Sequence, residues 1–245
     1  YCTESTFANQ TLVSHGSDPL MRLYTNSTGV SFEVISGANT LVELQSTSLP
    51  AVDAWHHMAV VRKGSAFALY IDGTECDTAY YTEAMPETTG TLTFGYDSGL
   101  STYLEGCLDE IRITTGKARW EESFTPASDE YLSDAYTTLL IHADELTGAA
   151  SFADSSLVPC TTVTTGDVHV DDDNPKLGFA SAFFDGTGDN IYISDSSAWS
   201  FTGDLLIELW AKPTADNTAA TLINWQDTAN GSIELASLST DKKLS

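Results

Sequence analysis

Basic residues are scarce in this chain. Ten Lys and Arg stand against 35 Asp and Glu, a formal net charge of −25 over 245 residues. So little positive charge argues against nucleic acid and anionic membranes as partners, since both would repel it. Long apolar runs are missing too. No stretch approaches 18 consecutive apolar residues, which excludes a membrane-spanning helix, and no membrane insertion is expected. No signal-peptide pattern is present. The four cysteines, Cys2, Cys76, Cys107 and Cys160, form no CxxC pair, which argues against zinc or thioredoxin-type chemistry. Helical periodicity is nearly absent, and there is no P-loop or dinucleotide-binding motif.

What is present fits an extracellular protein. The acidic residues are spread along the chain, and the one tight run, Asp171-Asp172-Asp173, reads as a solvated loop. Such a surface favours solubility and divalent cations, and it suits a salty or calcium-rich medium that screens self-repulsion. Sparse lysine, frequent Thr and Ser and an even cysteine count point to an oxidising exterior. Asn9, Asn26 and Asn230 begin Asn-x-Ser/Thr sequons, so they are the candidate glycosylation sites in a secreted protein.

Apolar residues alternate or form short runs between Gly, Asp, Asn and Ser clusters, the pattern of strands. Strands are predicted at 20–24, 30–35, 57–62, 67–71, 91–94 and 108–113. In the second half they are predicted at 137–142, 180–184, 190–193, 205–211 and 232–235. Asp72-Gly73, between Phe67-Ala68-Leu69-Tyr70-Ile71 and Thr74-Glu75-Cys76, predicts a tight type I′ hairpin. Many short strands with such turns imply an all-β antiparallel sandwich or barrel.

The polar stretch after Pro126 reads as a linker at 127–136, between a unit at 1–126 and another at 137–245. An internal repeat gives this division its meaning. Tyr1-Cys2 through Thr11-Leu12-Val13 resembles Trp210-Ala211 through Thr221-Leu222-Ile223, with Thr11 and Thr221 offset by 210 residues. The expectation is a window on a tandem array: the C-terminal part of one module, then the N-terminal part of the next. Each part would then need partner strands, from adjacent sequence or from neighbouring chains.

Several segments resemble laminin-G-like modules of the concanavalin A-like lectin/glucanase superfamily. Trp55-His56-His57-Met58-Ala59-Val60-Val61-Arg62 is similar to the family's W-x-H-x-A-V-V-R strand, and Phe67 to Gly73 to its L-Y-V-D-G hairpin. Leu92-Thr93-Phe94-Gly95 resembles L-x-I-G, and Leu104 to Ile113 resembles the closing strand F-x-G-x-I-D-E-V-R-I. In the second half, Ala182 to Asp189 resembles L-x-F-D-G-x-x-D, and Asp204 to Pro213 resembles D-F-T-I-E-F-W-V-K-P. The two blocks stand in swapped order, as a cut through tandem copies would leave them. The resemblance implies a jelly roll of two antiparallel sheets.

It also implies sites. A structural calcium ion is the candidate cofactor, with Asp109 of the closing strand, Asp144 and Asp154 as candidate ligands, since oxygen donors suit this hard cation; solvated loop carboxylates are the alternative. Cys107 occupies the position of a disulfide-bonded cysteine in classical laminin-G modules, so Cys76–Cys107 is the first-choice bridge. Cys2 and Cys160 could pair with each other or outside the window, and free thiols are the alternative. The Asp185-Gly186-Thr187-Gly188-Asp189 loop reads as a polar turn rather than an EF-hand. A retaining glycosidase needs carboxyls about 5–5.5 Å apart on one face. Strict alternation places Asp109 and Glu110 on opposite faces, so no enzyme is expected. Glycans are candidate ligands, through aromatics such as Tyr80, Tyr81, Tyr96, Tyr103, Trp120, Trp199 and Trp225. The expected function is a non-catalytic structural or adhesive repeat of a filament, virion fibre or cell surface, partnered by adjacent copies of the same module. The alternative is a calcium-dependent lectin-like module.

Overall fold

The computed structural model describes residues 10–11, 19–26, 28–87, 90–97, 102–196, 199, 201–214 and 223–226. In chain order the first half supplies β1 (Gln10–Thr11), β2 (Leu20–Thr25), β3 (Val30–Ser36), β4 (Asn39–Gln45), β5 (His56–Lys63) and β6 (Ala66–Ile71). It continues with β7 (Thr74–Tyr80), β8 (Thr91–Phe94), β9 (Tyr96–Asp97), β10 (Thr102–Tyr103) and β11 (Glu105–Thr115). The second half supplies β12 (Thr137–Ile141), β13 (Thr162–Thr165), β14 (His169–Asp171) and β15 (Ser181–Asp185). Then come β16 (Asn190–Ile193), β17 (Leu205–Pro213) and β18 (Ile223–Gln226). The predicted strand at 232–235 lies outside the described residues.

Two large antiparallel sheets carry the fold, as expected for a β-sandwich. One runs β13-β16-β8-β18-β2-β3-β4, with β1 on β2. The other runs β14-β15-β11-β17-β5-β6-β7, with β12 on β11. One continuous core lies between them. Met21, Leu23, Phe32, Val34, Leu92, Phe94 and Ile191 face Met58, Val60, Phe67, Leu69, Leu108, Ile111, Ile207 and Leu209. Period-two alternation produces this layer, because each inward residue is two positions from the next. The Asp72-Gly73 hairpin between β6 and β7 forms as the sequence predicts, with φ of 51° and 75°, both positive as a type I′ turn requires.

The division at 127–136 is a division of sequence. In space, strands from both segments share both sheets. β17 lies between β11 and β5, pairing Asp109↔Trp210 and Arg112↔Glu208 on one side and Glu208↔Ala59 and Trp210↔His57 on the other. β16 pairs with β8, and β15 and β12 pair with β11. The segment expected as a linker is packed: Tyr131 is buried against Leu140 and Trp210 on the outer face of the second sheet. Beside it, Trp120 and Phe124 cover Ala59, Val61, Tyr70 and Leu206. β17 is therefore buried on both faces, with Leu205, Ile207 and Leu209 turned inward and Leu206, Glu208 and Trp210 turned outward.

The Cys76–Cys107 bridge is not formed; both thiols are free, as is Cys160. Cys76 sits on β7 and Cys107 on β11, with β6, β5 and β17 between them. Four strand spacings amount to about 19 Å, far beyond the reach of about 7 Å between the Cα atoms of a disulfide. Burial pushes the Cys107 thiol up to about 11, so it is an inert core group. Cys2 lies outside the described residues.

Candidate functional site

The outer face of the second sheet gathers the charged residues of the sequence motifs. Glu208 is wholly buried, and both its oxygens are used. Arg112 Nε donates to Oε1 at 2.6 Å, and a second guanidinium nitrogen reaches the same oxygen. Trp120 Nε1 donates to Oε2 at 3.0 Å, and His57 Nε2 lies 3.2 Å from it. Burial alone would raise the Glu208 carboxyl. The His57 hydrogen bond, the Arg112 charge and the Trp120 donor outweigh it and hold the group below its ordinary value. The Arg112 guanidinium also lies 4.1 Å above the Tyr131 ring. Thus the His of W-x-H, the Arg of D-E-x-R and the Glu of I-E-x-W meet at one point, supplied by β5, β11 and β17.

One turn along β11 the strand is irregular. The register with β17 shifts between Asp109 and Arg112, and Glu110 takes φ of 49°. Leu108 and Ile111 both belong to the inter-sheet core although three positions separate them. A bulge has inserted one residue, so Asp109 and Glu110 both leave the core on the outer side. This corrects the expectation that they face opposite ways. Glu110 is buried. Its Oε2 accepts from Tyr131 N at 2.6 Å, and its Oε1 lies 2.5 Å from His142 Nδ1. That hydrogen bond raises the His142 imidazole above its ordinary value, against the opposing effect of its partial burial.

Asp109 and Asp144 strap down the same loop. Asp109 Oδ2 accepts from Lys176 N and Leu177 N at 2.9 and 3.0 Å. Asp144 Oδ1 accepts from Phe179 N and Ala180 N at 2.7 and 2.8 Å. Gly178 between them has φ of +64°, and a Cβ there would lie 2.0 Å from Asp144 Oδ2. Asp109 Oδ1 is buried with no hydrogen-bond partner. Burial, aided by Glu110 and Asp144, pushes the Asp109 carboxyl up to about 7, although the two loop amides pull it down. Over this loop lies an open pocket of about 460 Å³ lined by Ser128, Asp129, Glu130, Lys176, Leu177 and Gly178.

The third expected ligand, Asp154, is elsewhere and is fully used. Its Oδ1 accepts from Leu140 N and Ser156 N, and its Oδ2 from Ser156 Oγ, Cys160 N and Cys160 Sγ. It pins the 154–160 turn to β12 and is not brought to Asp109 and Asp144. Asp185 and Asp189 form a polar turn. Asp189 accepts from Asp167 N and Asp185 N, and Asp185 accepts from Thr187. Asp171 binds Asp173 N and Asn174 Nδ2 within its own loop. Asn26 accepts from Thr28 N and Gly29 N and donates to Ser31 Oγ, so a glycan there would displace that last bond. Asn9 and Asn230 lie outside the described residues. Of the aromatics considered for glycans, Trp199 is buried, Trp120 is stacked on Phe124 at 4.0 Å, and Tyr96 and Tyr103 stack at 4.5 Å. Tyr80 is exposed, and the Trp225 side chain lies outside the described residues.

Sequence reasoning missed the Glu208 hub and the facing of Glu110. The hub was legible only as three separate motif residues. The bulge had a signal in the spacing Leu108-x-x-Ile111-x-Ile113, which breaks period two once.

A family model described as the concanavalin A-like lectin/glucanases superfamily, of the laminin-G domain 3 type, matches residues 1–122. A search of curated proteins gives no match.

Proposed function

Since residues 1–122 belong to the concanavalin A-like lectin/glucanases superfamily, we propose that this chain is a non-catalytic structural or adhesive repeat of an extracellular filament, fibre or surface protein. Members of the superfamily commonly serve in adhesion or carbohydrate binding. The observation that carries the reading is the Glu208 hub. The carboxylate best placed for chemistry, between His57 and Arg112, is buried, doubly engaged and held ionised by its neighbours. A nucleophile or general acid needs a reachable oxygen and a suited pKa. Glu208 is instead a rivet joining three strands. The acidic surface and the 210-residue repeat support a modular extracellular setting, with adjacent copies of the same module as partners. A reducing-sugar release assay on cell-wall and marine glucans tests the reading: no release is expected, and clear turnover would overturn it.

A second reading, a calcium-dependent lectin-like module, is favoured by one observation. The orphaned Asp109 Oδ1, buried near Asp144 under the 176–180 loop, suits a hard cation better than an apolar wall. Glycan-array binding with and without EDTA separates the two. Binding lost on chelation supports the lectin; no binding in either condition supports the structural repeat.

A further inference from the structure

On the outer face of the second sheet, three side chains brought together by the fold form a line of hydrogen bonds. Lys212 lies on β17, two positions past Trp210 and therefore on the same outward side. Its Nζ donates to Asn174 Oδ1 at 2.7 Å. Asn174 Nδ2 in turn donates to Asp171 Oδ2 at 3.2 Å. An ammonium only donates and a carboxylate only accepts, so the amide between them has one orientation: carbonyl toward the lysine, nitrogen toward the aspartate. The backbone of Asn174 is held as well. Ser181 Oγ donates to Asn174 O at 3.0 Å, and Ser181 of β15 pairs with Asp171 of β14.

The choice of partner is what sets Lys212 apart. In a chain with 35 acidic residues, Lys63 and Lys117 pair with the carboxylates of Glu121 and Asp134, whereas Lys212 takes a neutral amide. An amine against a side-chain amide, with a carboxylate on the amide nitrogen, places a nucleophile, an electrophilic carbon and a proton carrier in contact. The residue after Asn174 is Pro175. The usual attacker of an asparagine side chain is the backbone nitrogen of the next residue. Proline has no N–H to give up, so that cyclisation is closed. Lys212 is the amine left in contact with the Asn174 amide.

We propose that Lys212 and Asn174 join in an intramolecular isopeptide bond, with Asp171 as the proton carrier. The Lys212 ammonium first gives a proton to water. The neutral amine then moves from the amide oxygen to the face of Asn174 Cγ, a shift that its flexible four-carbon stem allows. The Nζ–Cγ bond forms, and Asp171 takes a proton from Nζ and passes it to Nδ2. The Cγ–Nδ2 bond breaks and ammonia leaves. An amine and a primary amide become a secondary amide and ammonia, no oxidant or cofactor is consumed, and Asp171 ends as it began. Fixed placement in one fold replaces a bimolecular encounter, which is what lets so slow a reaction proceed. The bond ties β17, which lies between β11 and β5, to the loop that follows β14. Drawing β17 out of the sheet then strains a covalent link rather than hydrogen bonds alone.

The test incubates the folded full chain until its mass is constant. Intact-mass spectrometry reads the bond as the loss of one ammonia. Trypsin cuts after Lys176 and so separates Asn174 from Lys212; the bond keeps both in one branched peptide. The unaltered chain should give both signals. Lys212→Arg keeps a donor for Asn174 but lacks the amine, and it should retain the full sequence mass. Asp171→Asn should slow the appearance of the branched peptide by about 10²-fold or more. Circular dichroism confirms that both variants are folded. An unaltered chain that keeps its sequence mass, or that loses ammonia without yielding the branched peptide, overturns the proposal. A branched peptide that forms at the same rate in Asp171→Asn overturns the part given to Asp171. The sugar-release assay, which decides the non-catalytic reading, is unaffected by either result.

Discussion

At the residue scale, two carboxylates on the outer face of one sheet have opposite fates. Glu208 is ionised and saturated with donors, whereas Asp109 is buried with one oxygen orphaned. Removing one partner of a buried ion pair leaves an uncompensated charge. Glu208→Ala should therefore cost about 3–5 kcal/mol, read as a lower urea midpoint. A midpoint within error of the unaltered chain would contradict the hub. Asp109 gives a pH effect of opposite character. Its carboxyl is pushed from 3.8 to about 7 in the folded chain, so between those values the native state holds a proton that the unfolded chain has released. Its contribution to stability is full below about pH 4 and is lost as pH rises through about 7. In the absence of divalent cations, Asp109→Asn should flatten the fall in Tm between pH 5 and pH 7.5. An unchanged fall would contradict this account of Asp109. Sequence exposed both residues as motif positions but not these fates, because burial and donor count arise only when β5, β11 and β17 meet.

At the scale of elements, the strands with strong alternation were legible and the edges were not. Leu20–Thr25, Val30–Ser36, Ala66–Ile71 and Leu205–Pro213 bury a face of Val, Leu, Ile and Phe, and the sequence pattern finds them. Asn39–Gln45, Thr162–Thr165 and His169–Asp171 were missed. They lie at sheet edges, where polar residues face solvent and few apolar ones remain to mark a period. Alternation also failed at the β11 bulge, since one inserted residue reverses the face of all that follow. The 174–180 loop is held on this bulge by Asp109 and Asp144, which makes Gly178 its tightest point. Gly178→Ala should cost clearly more than Gly64→Ala. Both have positive φ, +64° and +59°, but only at Gly178 would a Cβ meet a neighbour, Asp144 Oδ2 at 2.0 Å. Backbone strain alone accounts for about 1–2 kcal/mol at Gly64. Equal losses in urea titrations of the two variants would show that Asp144 does not close over the loop.

At the scale of the whole molecule, motif order made the sandwich legible, while the way its sheets are completed was not. The pattern Leu205 to Pro213 specifies a strand buried on both faces with Glu208 turned outward. It does not say which Arg112 and His57 the strand will meet. In the structure it meets those of the first half, so the two segments share one core, which predicts unfolding as a single cooperative unit. A melting transition of residues 1–245 should then be single and superimposable by tryptophan fluorescence and far-ultraviolet circular dichroism.

The most direct test of this shared core is native-state hydrogen exchange of the full chain, read segment by segment by mass spectrometry. The account predicts that the amides of His56–Lys63, Glu105–Thr115 and Leu205–Pro213 open together, with one free energy equal to that of global unfolding. Protection of the first two strands while Leu205–Pro213 exchanges freely would contradict it.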